Sequence, residues 1–259
     1  MKVMGIVNVT PDSFSDGGLY LDPERAIAHG LELVEAGADV LDIGGESTRP
    51  GAAEVPAEEE LRRVVPVIEG LAGRAVISID TTKAVVAEAA IDAGATIVND
   101  VSGLRGDPDM TALCAERGVE VVIMHMLGTP RTMQRDPRYE NVVAEVLEFL
   151  LGQAVRATDA GVERERIWID PGIGFGKTVE HNLALLAATA EFAATGLPVL
   201  LGPSRKTFIG KIDGSKEDRR LGGTIAACLE AMRGGAAMVR VHDVPAVVQA
   251  IRVATAIEN

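Results

Sequence analysis

Polar side chains follow short apolar runs at eight places along this 259-residue sequence. The runs consist mainly of Val, Ile, Leu and Met, which is typical of buried strands, and each stops at a residue that can donate or accept a hydrogen bond. One polar residue at a strand end is ordinary turn chemistry, but eight of them indicate a shared site. In order they are Asn8, Asp42 with Glu46 and Thr48, Asp80, Asn99, His125, Asp170, Lys206, and Arg240 with His242.

Three of these residues suit a nitrogen-rich heterocycle. Asp80, Asn99 and Asp170 end the segments SID, IVN and WID, where a buried carboxylate needs a donor-rich partner to offset its lost hydration. Carboxylate and amide oxygens accept hydrogen bonds from ring N–H and exocyclic NH₂ groups, and the amide nitrogen donates to a ring acceptor. Together they predict a site for a guanine-like edge, whereas each alone could equally be a helix cap or an Asx turn.

A second set of residues favours an anion. Arg240 and His242 are separated by one residue, so on an extended strand their side chains point to the same side and can hold one anion together. They lie in RVHD, and Lys206 lies in GPSRKTFIG; these segments follow the last two apolar runs, where barrel enzymes commonly bind phosphate. The alternative is a solvated arginine and a core histidine.

Two further loops could carry function. GESTRPG holds Thr48, Arg49 and Pro50 and resembles a lid, although an ordinary surface loop would be as rich in Gly and Pro. HMLGTPRTMQRDP holds His125, which could be a pocket wall, a hydrogen-bonding group or a cap. The four histidines show no HExxH or clustered spacing, and the two cysteines, Cys114 and Cys228, have no CxxC partner, so neither residue type predicts a metal site.

The elements that must position these residues alternate along the whole chain. The eight runs, from KVMGIVN to MVRVHD, are separated by longer helical patterns such as AEEELRRVVPVIEGLAG, and several helices end at glycine, at Gly37, Gly94, Gly118 and Gly161. Eight strand-helix units without a composition break, and without GxGxxG after the first strand, favour a closed barrel over a doubly wound sheet. We predict one α/β domain over residues 1–259, a (β/α)8 TIM barrel with its active site at the C-terminal ends of the strands.

Composition excludes several classes of function. A formal charge of −13 argues against nucleic acid as a partner, so an anionic substrate must meet local positive charge. The hydrophobic fraction of 47% supports one large aliphatic core, since aromatic residues make up only 3%. The sequence has no signal-like segment and no run of about 18 apolar residues, so we expect no membrane association. The isolated cysteines agree with a reducing cytoplasm, where we expect the protein to work.

Eight segments taken together resemble the dihydropteroate synthases. That family is an eight-stranded barrel that joins 6-hydroxymethyl-7,8-dihydropterin diphosphate to 4-aminobenzoate in folate biosynthesis and releases pyrophosphate, and sulfonamides compete with the aminobenzoate. The resemblance therefore implies a transferase with small-molecule substrates. The segments, in order along nearly the whole chain, are GIVNVTPDSFSDGG, DIGGESTRPGA, SIDT, NDVSGL, MHMLGTPRTMQ, DPGIGFGK, GPSRKTFIG and RVHDV.

The resemblance also implies roles for individual residues. For the pterin these are Asp80, Asn99, Asp170 and Lys206; for the diphosphate, Thr48, Arg49, Arg240 and His242; and for 4-aminobenzoate, Thr48, Pro50, Phe175, Lys206 and Thr207. Asn8 would be the protein ligand of a Mg²⁺ cofactor that bridges diphosphate oxygens, which explains why no metal cluster is visible. The residues implied in catalysis are Asn8, Asp80, Lys206, Arg240 and His242. Thr207 departs from the serine frequent at that position but keeps the hydroxyl.

The implied reaction is dissociative. Mg²⁺, Arg240 and His242 would neutralise the leaving diphosphate, and Asp80 would stabilise positive charge on the pterin methylene carbon. A neutral aromatic amine needs no strong base to attack a carbocation, which agrees with the absence of a Ser-His-Asp constellation. Because water would destroy the cation, we expect residues 9–18 and 45–51 to close over the diphosphate and complete the aminobenzoate pocket.

The sequence leaves two alternative functions and the oligomeric state undecided. A pterin-binding methyltransferase barrel would share the pterin-holding acids but has no use for a diphosphate site, and a silent paralogue would keep only the pterin pocket. Homodimerisation through the last helices is implied by the resemblance, and LGGTIAACLEAMRGG offers a small-residue apolar face. A face buried within one chain would have the same pattern.

Overall fold

The computed structural model describes residues 1–10, 22–49 and 51–258. The strands are β1 (Lys2–Asn8), β2 (Val40–Gly44), β3 (Val76–Asp80), β4 (Ile97–Asp100), β5 (Glu120–Met124), β6 (Ile167–Asp170), β7 (Leu200–Leu201) and β8 (Met238–Val241). The α-helices are α1 (Pro23–Glu35), α2 (Ala57–Leu71), α3 (Ala84–Ala93), α4 (Met110–Arg117), α5 (Val142–Asp159), α6 (Val179–Ala187), α7 (Thr189–Ala193), α8 (Thr207–Asp213), α9 (Leu221–Arg233) and α10 (Val244–Glu258). Two 3-10 helices span Arg164–Arg166 and Glu217–Arg219.

The eight strands form one parallel sheet that curves round on itself. They pair in the order β6-β5-β4-β3-β2-β1-β8-β7. The two edge strands meet through a bridge between Ile169 and Val199, and the Ile169 amide donates to the Pro198 carbonyl at 3.0 Å. This closure confirms the predicted (β/α)8 barrel. The assignment of residues 1–259 to one domain remains a prediction.

Alternation along the strands sorts their side chains into two sets. One set, with Ile43, Ile79 and Ile123, packs under the surrounding helices in the larger hydrophobic core. The other set fills the inside of the barrel, as expected for a barrel of this size. Its buried apolar members are Met4, Val40, Ile97, Val122, Trp168, Leu200 and Met238.

The predicted site residues continue the inner set toward the C-terminal ends of the strands. Asp42, Asn99, Asp170 and Arg240 each stand two residues after an inner apolar side chain, and His242 stands four residues after one. Because side chains two residues apart on a strand share a face, the polar groups point into the same mouth of the barrel. Local strand geometry therefore positions the inner polar residues of the site, and the loops after the strands supply the others.

The opposite end of the barrel is closed by side chains. Trp168 is 8% exposed, and its Nε1 donates to Glu120 Oε2 at 2.5 Å. The ammonium group of Lys2 lies 5.9 Å from the centroid of the Trp168 ring. An aromatic ring with a polar edge suits such a position, since the ring packs inward while its N–H finds a partner near solvent.

The helix ends follow the predicted glycine pattern. Gly37, Gly94, Gly118 and Gly161 have φ of 99°, 120°, 61° and 105°, the left-handed region in which a side chain is strained. Within the described part of the chain, no helix combines the length and apolar character needed to cross a membrane.

The apolar face predicted on α9 is largely used inside the chain. Thr224, Ala227, Cys228 and Ala231 are buried, and α9 packs against α6 and α10. The small residues there are thus explained by packing within the barrel. Homodimerisation remains a prediction.

Candidate active site

A cavity of about 580 Å³ opens at the C-terminal ends of the strands. Most of the predicted site residues line it: Asn8, Thr48, Arg49, Asp80, Phe175, Lys206, Thr207, Arg240 and His242. Asn99 and Asp170 are buried and do not line it. Pro50 and residues 11–18 of the first predicted closing loop lie outside the described residues.

Arg240 is held between two carboxylates. Its Nε donates to Asp42 Oδ2 at 2.5 Å, and its Nη2 donates to Asp80 Oδ2 at 2.8 Å. Asn99 Nδ2 donates to the same oxygen of Asp42 at 3.1 Å. One guanidinium therefore connects residues predicted for the pterin with a residue predicted for the diphosphate. Its remaining nitrogen, Nη1, makes no hydrogen bond with the described residues and is available to a ligand.

Asp42 has a larger role than the sequence predicted. It was recognised as a strand-end residue, but no function was assigned to it. The structure shows it fully buried, with Oδ2 accepting from Arg240 and Asn99 and with Oδ1 unpaired among the described residues. The signal that could have revealed it is its position two residues after Val40, which matches the spacing of the other inner acids.

Burial makes the acids of the site unusually weak. Burial raises the pKa of Asp80 well above its usual range, with Arg240 opposing the shift and Asp42 adding to it. Burial also raises the pKa of Asp170 to about 6, although the Gly172 amide, which donates to Asp170 Oδ1 at 2.7 Å, and Lys206 oppose it. A ligand with several N–H groups would favour the ionised forms, because it would replace the lost water.

Lys206 faces the aromatic ring of Phe175. Its Nζ lies 4.1 Å from the ring centroid, and burial together with the nearby Arg240 lowers its pKa to about 8. Gly174 allows this approach, because a Cβ there would lie 3.0 Å from Lys206 Cδ. The structure thus brings together Phe175 and Lys206, which were both predicted for 4-aminobenzoate.

His242 is paired with a serine that the sequence analysis did not single out. Ser204 Oγ lies 3.0 Å from His242 Nδ1 and accepts from the His242 backbone amide at 3.2 Å. Burial, Arg240 and Arg205 lower the pKa of His242 to about 3, so the ring is neutral at neutral pH. A neutral His242 can supply a hydrogen bond but no positive charge. Its contact with the diphosphate remains a prediction.

The loop that carries Ser204 and Lys206 is fixed by hydrogen bonds to α9 and to residues that precede α9 and follow β8. Arg205 has a left-handed φ of 56°, and its guanidinium pairs with Asp243 at 2.5 and 2.9 Å. The Arg205 amide donates to Thr224 Oγ1 at 3.0 Å, and its carbonyl accepts from Arg220 at 2.9 Å. These bonds hold a strained residue between two site residues.

A buried lysine organises the other wall of the cavity. Lys177 Nζ lies 3.0 Å from His125 Nδ1 and donates to the Phe175 carbonyl at 3.0 Å. Burial lowers the pKa of Lys177 to about 7, and burial with the nearby Lys177 lowers that of His125 to about 3. His125 is thus a hydrogen-bonding support. Gly172 permits this packing, because a Cβ there would lie 2.0 Å from the His125 carbonyl oxygen.

The loop after β2 is tied down by a lysine between two glutamates. Lys83 Nζ donates to Glu46 and, at 2.6 Å, to Glu60 Oε2. Glu60 is fully buried, and Glu46 Oε1 also accepts from the Val55 amide at 3.2 Å. Glu46 therefore joins both ends of the loop to α2 and to the start of α3.

Arg49 lies at the cavity and is paired with a carboxylate. Its partner is Glu217 at 2.9 Å, and both side chains are more than half exposed. An exposed pair of this kind contributes little stability, so it would be exchanged easily for a phosphate oxygen. Thr48, on the same loop, lines the cavity as predicted.

Comparison with known proteins agrees with this geometry. The sequence profile described as pterin binding enzyme matches residues 4–242. The dihydropteroate synthase of Escherichia coli (strain K12) is 47% identical over 256 residues, covering 98% of this chain and 90% of that protein. A Xanthomonas albilineans dihydropteroate synthase structure with 4-aminobenzoic acid has a TM-score of 0.93 at 50% identity, covering 99% of this chain and 93% of that chain.

A second solved structure extends the comparison to a larger ligand. Dihydropteroate synthase from Xanthomonas albilineans in complex with 7,8-dihydropteroate has a TM-score of 0.90 at 48% identity, covering 99% of this chain and 93% of that chain. The family match begins in β1 and ends at His242, so it includes every strand and each predicted site residue. The chain is therefore an enzyme of the pterin-binding family and belongs to its dihydropteroate synthases.

Proposed function

We propose that this protein condenses 6-hydroxymethyl-7,8-dihydropterin diphosphate with 4-aminobenzoate to give 7,8-dihydropteroate and pyrophosphate. The observation that carries the proposal is the placement of Asp80, Lys206, Arg240 and His242 around one cavity, with Asn99 and Asp170 beside it. The complexes of the Xanthomonas albilineans enzyme with 4-aminobenzoic acid and with 7,8-dihydropteroate support the two substrate classes.

The pterin is proposed to bind through the inner acids. Asp80 and Asp170 would accept from the ring N–H and the exocyclic amine, and the Asn99 oxygen, which makes no hydrogen bond with the described residues, would accept a further N–H. Lys206 would donate to a ring acceptor. These N–H donors would also replace the hydration that the carboxylates around Arg240 lose on burial, which stabilises their ionised forms.

The diphosphate is proposed to bind at two nitrogen donors on the cavity wall. Arg240 Nη1 and His242 Nε2 make no hydrogen bonds with the described residues, and both residues line the cavity. Arg240 would supply charge and His242 a neutral N–H, while Thr48 and Arg49 would contact the same group from the loop after β2. Neutralising the leaving oxygen lowers the barrier to C–O cleavage.

The residues present fit a Mg²⁺ ion that is held mainly by the substrate. Asn8 lines the cavity at the end of β1, and its side-chain amide makes no hydrogen bond with the described residues. Across residues 1–10, 22–49 and 51–258, no group of three His, Cys, Asp or Glu side chains could form a metal cage. Mg²⁺ commonly takes one protein oxygen with phosphate oxygens and water. When bound, the ion would offset charge on the departing diphosphate.

The reaction is proposed to be dissociative. The C–O bond to the diphosphate breaks first and leaves positive charge on the pterin methylene carbon, near the Asp80 carboxylate. The amine lone pair then forms the C–N bond, and the nitrogen loses one proton to solvent. No strong base is needed, which agrees with the low basicity of His242, whose pKa is about 3, and with a buried His125 engaged by Lys177. A substrate with ¹⁸O at the bridging position should scramble the label without 4-aminobenzoate, and unscrambled label would contradict this pathway.

The decisive test of the overall function is a coupled product assay. Purified protein is supplied with dihydropterin methyl diphosphate, Mg²⁺ and 4-aminobenzoate, and pyrophosphate and dihydropteroate are measured together. We expect equal amounts of both products. Binding of the pterin without either product would indicate a silent paralogue. The methyltransferase alternative is disfavoured by the Arg240 and His242 donors, which methyl transfer does not require.

We also propose that the protein forms a homodimer through its last helices. Apolar side chains remain exposed there after α9 has packed within the chain: Leu221 is 39% exposed, Val253 55% and Ile257 79%. Sedimentation at micromolar concentration should show a dimer, and a monomer would exclude it.

A further inference from the structure

Ser204 and His242 form a two-bond unit between the ends of β7 and β8. The His242 backbone amide can only donate, so Ser204 Oγ is the acceptor in the 3.2 Å bond. The same oxygen lies 3.0 Å from His242 Nδ1, a bond in which either atom could in principle carry the hydrogen. Because Ser204 Oγ is already an acceptor in the backbone bond, its hydroxyl hydrogen is free to be donated to His242 Nδ1.

Burial leaves only one satisfactory arrangement. Ser204 is 5% exposed, and its hydroxyl makes no other hydrogen bond with the described residues. If Nδ1 carried a proton, Ser204 Oγ would accept twice and its own hydrogen would lack an acceptor among the described residues, which costs free energy at a site that is 5% exposed. If Nδ1 is unprotonated, the hydroxyl donates to it and every group is satisfied.

We propose that Ser204 is a positioning residue that fixes His242 in the tautomer with its proton on Nε2. With Nδ1 occupied by the hydroxyl, Nε2–H is left as a permanent donor toward the cavity that His242 lines. The ring therefore offers a hydrogen bond to an anion without adding charge and without a proton to give away. The same logic holds for metal-binding histidines, whose second nitrogen is fixed by a hydrogen-bond partner.

The consequence for ligand binding rests on the proposed diphosphate subsite, whereas the tautomer itself does not. A neutral donor on Nε2 would match a phosphate oxygen in the substrate and in the pyrophosphate product. A wrong tautomer would instead present a lone pair to the anion and repel it. Ser204 thus would act on the anion through His242 without touching it.

The tautomer can be measured directly by NMR of protein labelled with ¹⁵N-histidine at pH 7.5. Two-bond ¹⁵N–¹H correlations distinguish the two forms, and His242→Gln identifies the signals of His242. We expect protonated Nε2 and unprotonated Nδ1 in the wild type, and a mixture of tautomers in Ser204→Ala. Ser204→Thr, which keeps the hydroxyl, should restore the wild-type pattern. A wild-type proton on Nδ1, or an unchanged pattern in Ser204→Ala, would overturn the proposal.

Binding of inorganic pyrophosphate in the presence of Mg²⁺ tests the functional consequence by calorimetry. Ser204→Ala should weaken binding roughly tenfold, the scale seen when a partner of a liganding histidine is lost. The matched control is Ser215→Ala, because that hydroxyl does not line the cavity. Equal affinity of Ser204→Ala and wild type would contradict the inferred role. A wild type that does not bind pyrophosphate would instead overturn the diphosphate subsite, while the NMR result would still decide the tautomer.

A second pair of variants tests which ring nitrogen matters. The side-chain nitrogen of glutamine reaches the position of Nε2, and that of asparagine the position of Nδ1. His242→Gln should therefore keep more pyrophosphate affinity than His242→Asn. The reverse order would show that the donor is Nδ1 and would overturn the proposal.

Discussion

Arg240 Nη2 donates to Asp80 Oδ2 across 2.8 Å, so one ion pair joins the cation proposed for the diphosphate to an acid proposed for the pterin. The proposed pterin and diphosphate subsites are therefore adjacent and are linked by this ion pair. A change in the charge of either residue alters both, and the fully buried Asp42 holds the guanidinium from the other side.

Removing the charge of Asp42 should damage both folding and catalysis. Asp42→Asn leaves Arg240 with one carboxylate partner, and breaking a buried pair typically costs about 3–5 kcal/mol. We expect a loss of free energy of unfolding near that range, measured by urea denaturation, and a fall in kcat/KM of roughly 100-fold. Asp92→Asn is the control, because it breaks an exposed Asp–Arg pair with Arg117. Equal effects of the two substitutions would contradict the anchoring role of Asp42.

The affinity for the pterin should rise and then fall as pH increases. The Asp170 carboxylate accepts N–H groups only when ionised, so affinity should rise as pH increases through its pKa of about 6. Lys206 donates fully only when protonated, so affinity should fall above its pKa of about 8. Calorimetry with 6-hydroxymethyl-7,8-dihydropterin, which has no titrating phosphate, measures this from pH 5 to 9. In Asp170→Asn the rise at low pH should shrink, and a flat wild-type profile would refute the assignment.

Asp170 should make the folded protein less stable as pH rises. Its folded pKa lies above its usual value, so the stability it contributes at low pH is lost as pH increases through about 6. Asp170→Asn removes this loss while keeping an acceptor for the Gly172 amide. Relative to wild type, the variant should gain on the order of 1–3 kcal/mol at pH 8 and much less at pH 4.5, measured by urea unfolding.

The same variant should bind the pterin poorly, which would make Asp170 a residue kept for function at the expense of stability. Asp159→Asn, at an exposed position of α5, serves as the control and should show no such pH-dependent gain. A variant that is less stable than wild type at pH 8 would contradict the burial argument.

The Lys83 bridge should control the loop that carries Thr48 and Arg49. Lys83→Met leaves Glu46 and the buried Glu60 without their shared cation, so the loop should detach. We expect the KM for 4-aminobenzoate to rise about tenfold or more, the scale set by loss of a charged hydrogen bond, and limited proteolysis to cut within 45–55. The matched control, Lys216→Met, removes an exposed lysine. Unchanged KM and protease resistance in Lys83→Met would show that the loop is held elsewhere.

Local patterns predicted the framework well because strand alternation is a property of neighbouring residues. The first strand was predicted as KVMGIVN and is found at Lys2–Asn8. The seventh was predicted within PVLLGPSRK, yet only Leu200 and Leu201 form a strand there. Val199, which precedes them, forms an isolated bridge to Ile169, and prolines stand at 198 and 203, where they lack the N–H that a longer ladder needs.

Side-chain partners were harder to predict because they are chosen across the barrel. Asp42 and Arg240 are 198 residues apart, and their pairing depends on how β2 and β8 sit around the inside of the sheet. Ser204 has no distinguishing pattern until the end of β7 is placed beside His242. Arg49 was predicted to contact the diphosphate, and in the structure its guanidinium pairs with Glu217, 168 residues away along the chain.

The seam of the barrel lies where its main-chain bonding is weakest. Only the bridge at Ile169 and Val199 joins β6 to β7 among the described residues, yet the loops that follow these strands carry Phe175 and Lys206, which meet at 4.1 Å. Contact between Phe175 and Lys206 therefore adds a side-chain link between the loops after β6 and β7, where the strands share one bridge. We therefore expect a substitution of Phe175 or Lys206 to change the packing between these two loops as well as the binding of the ligand.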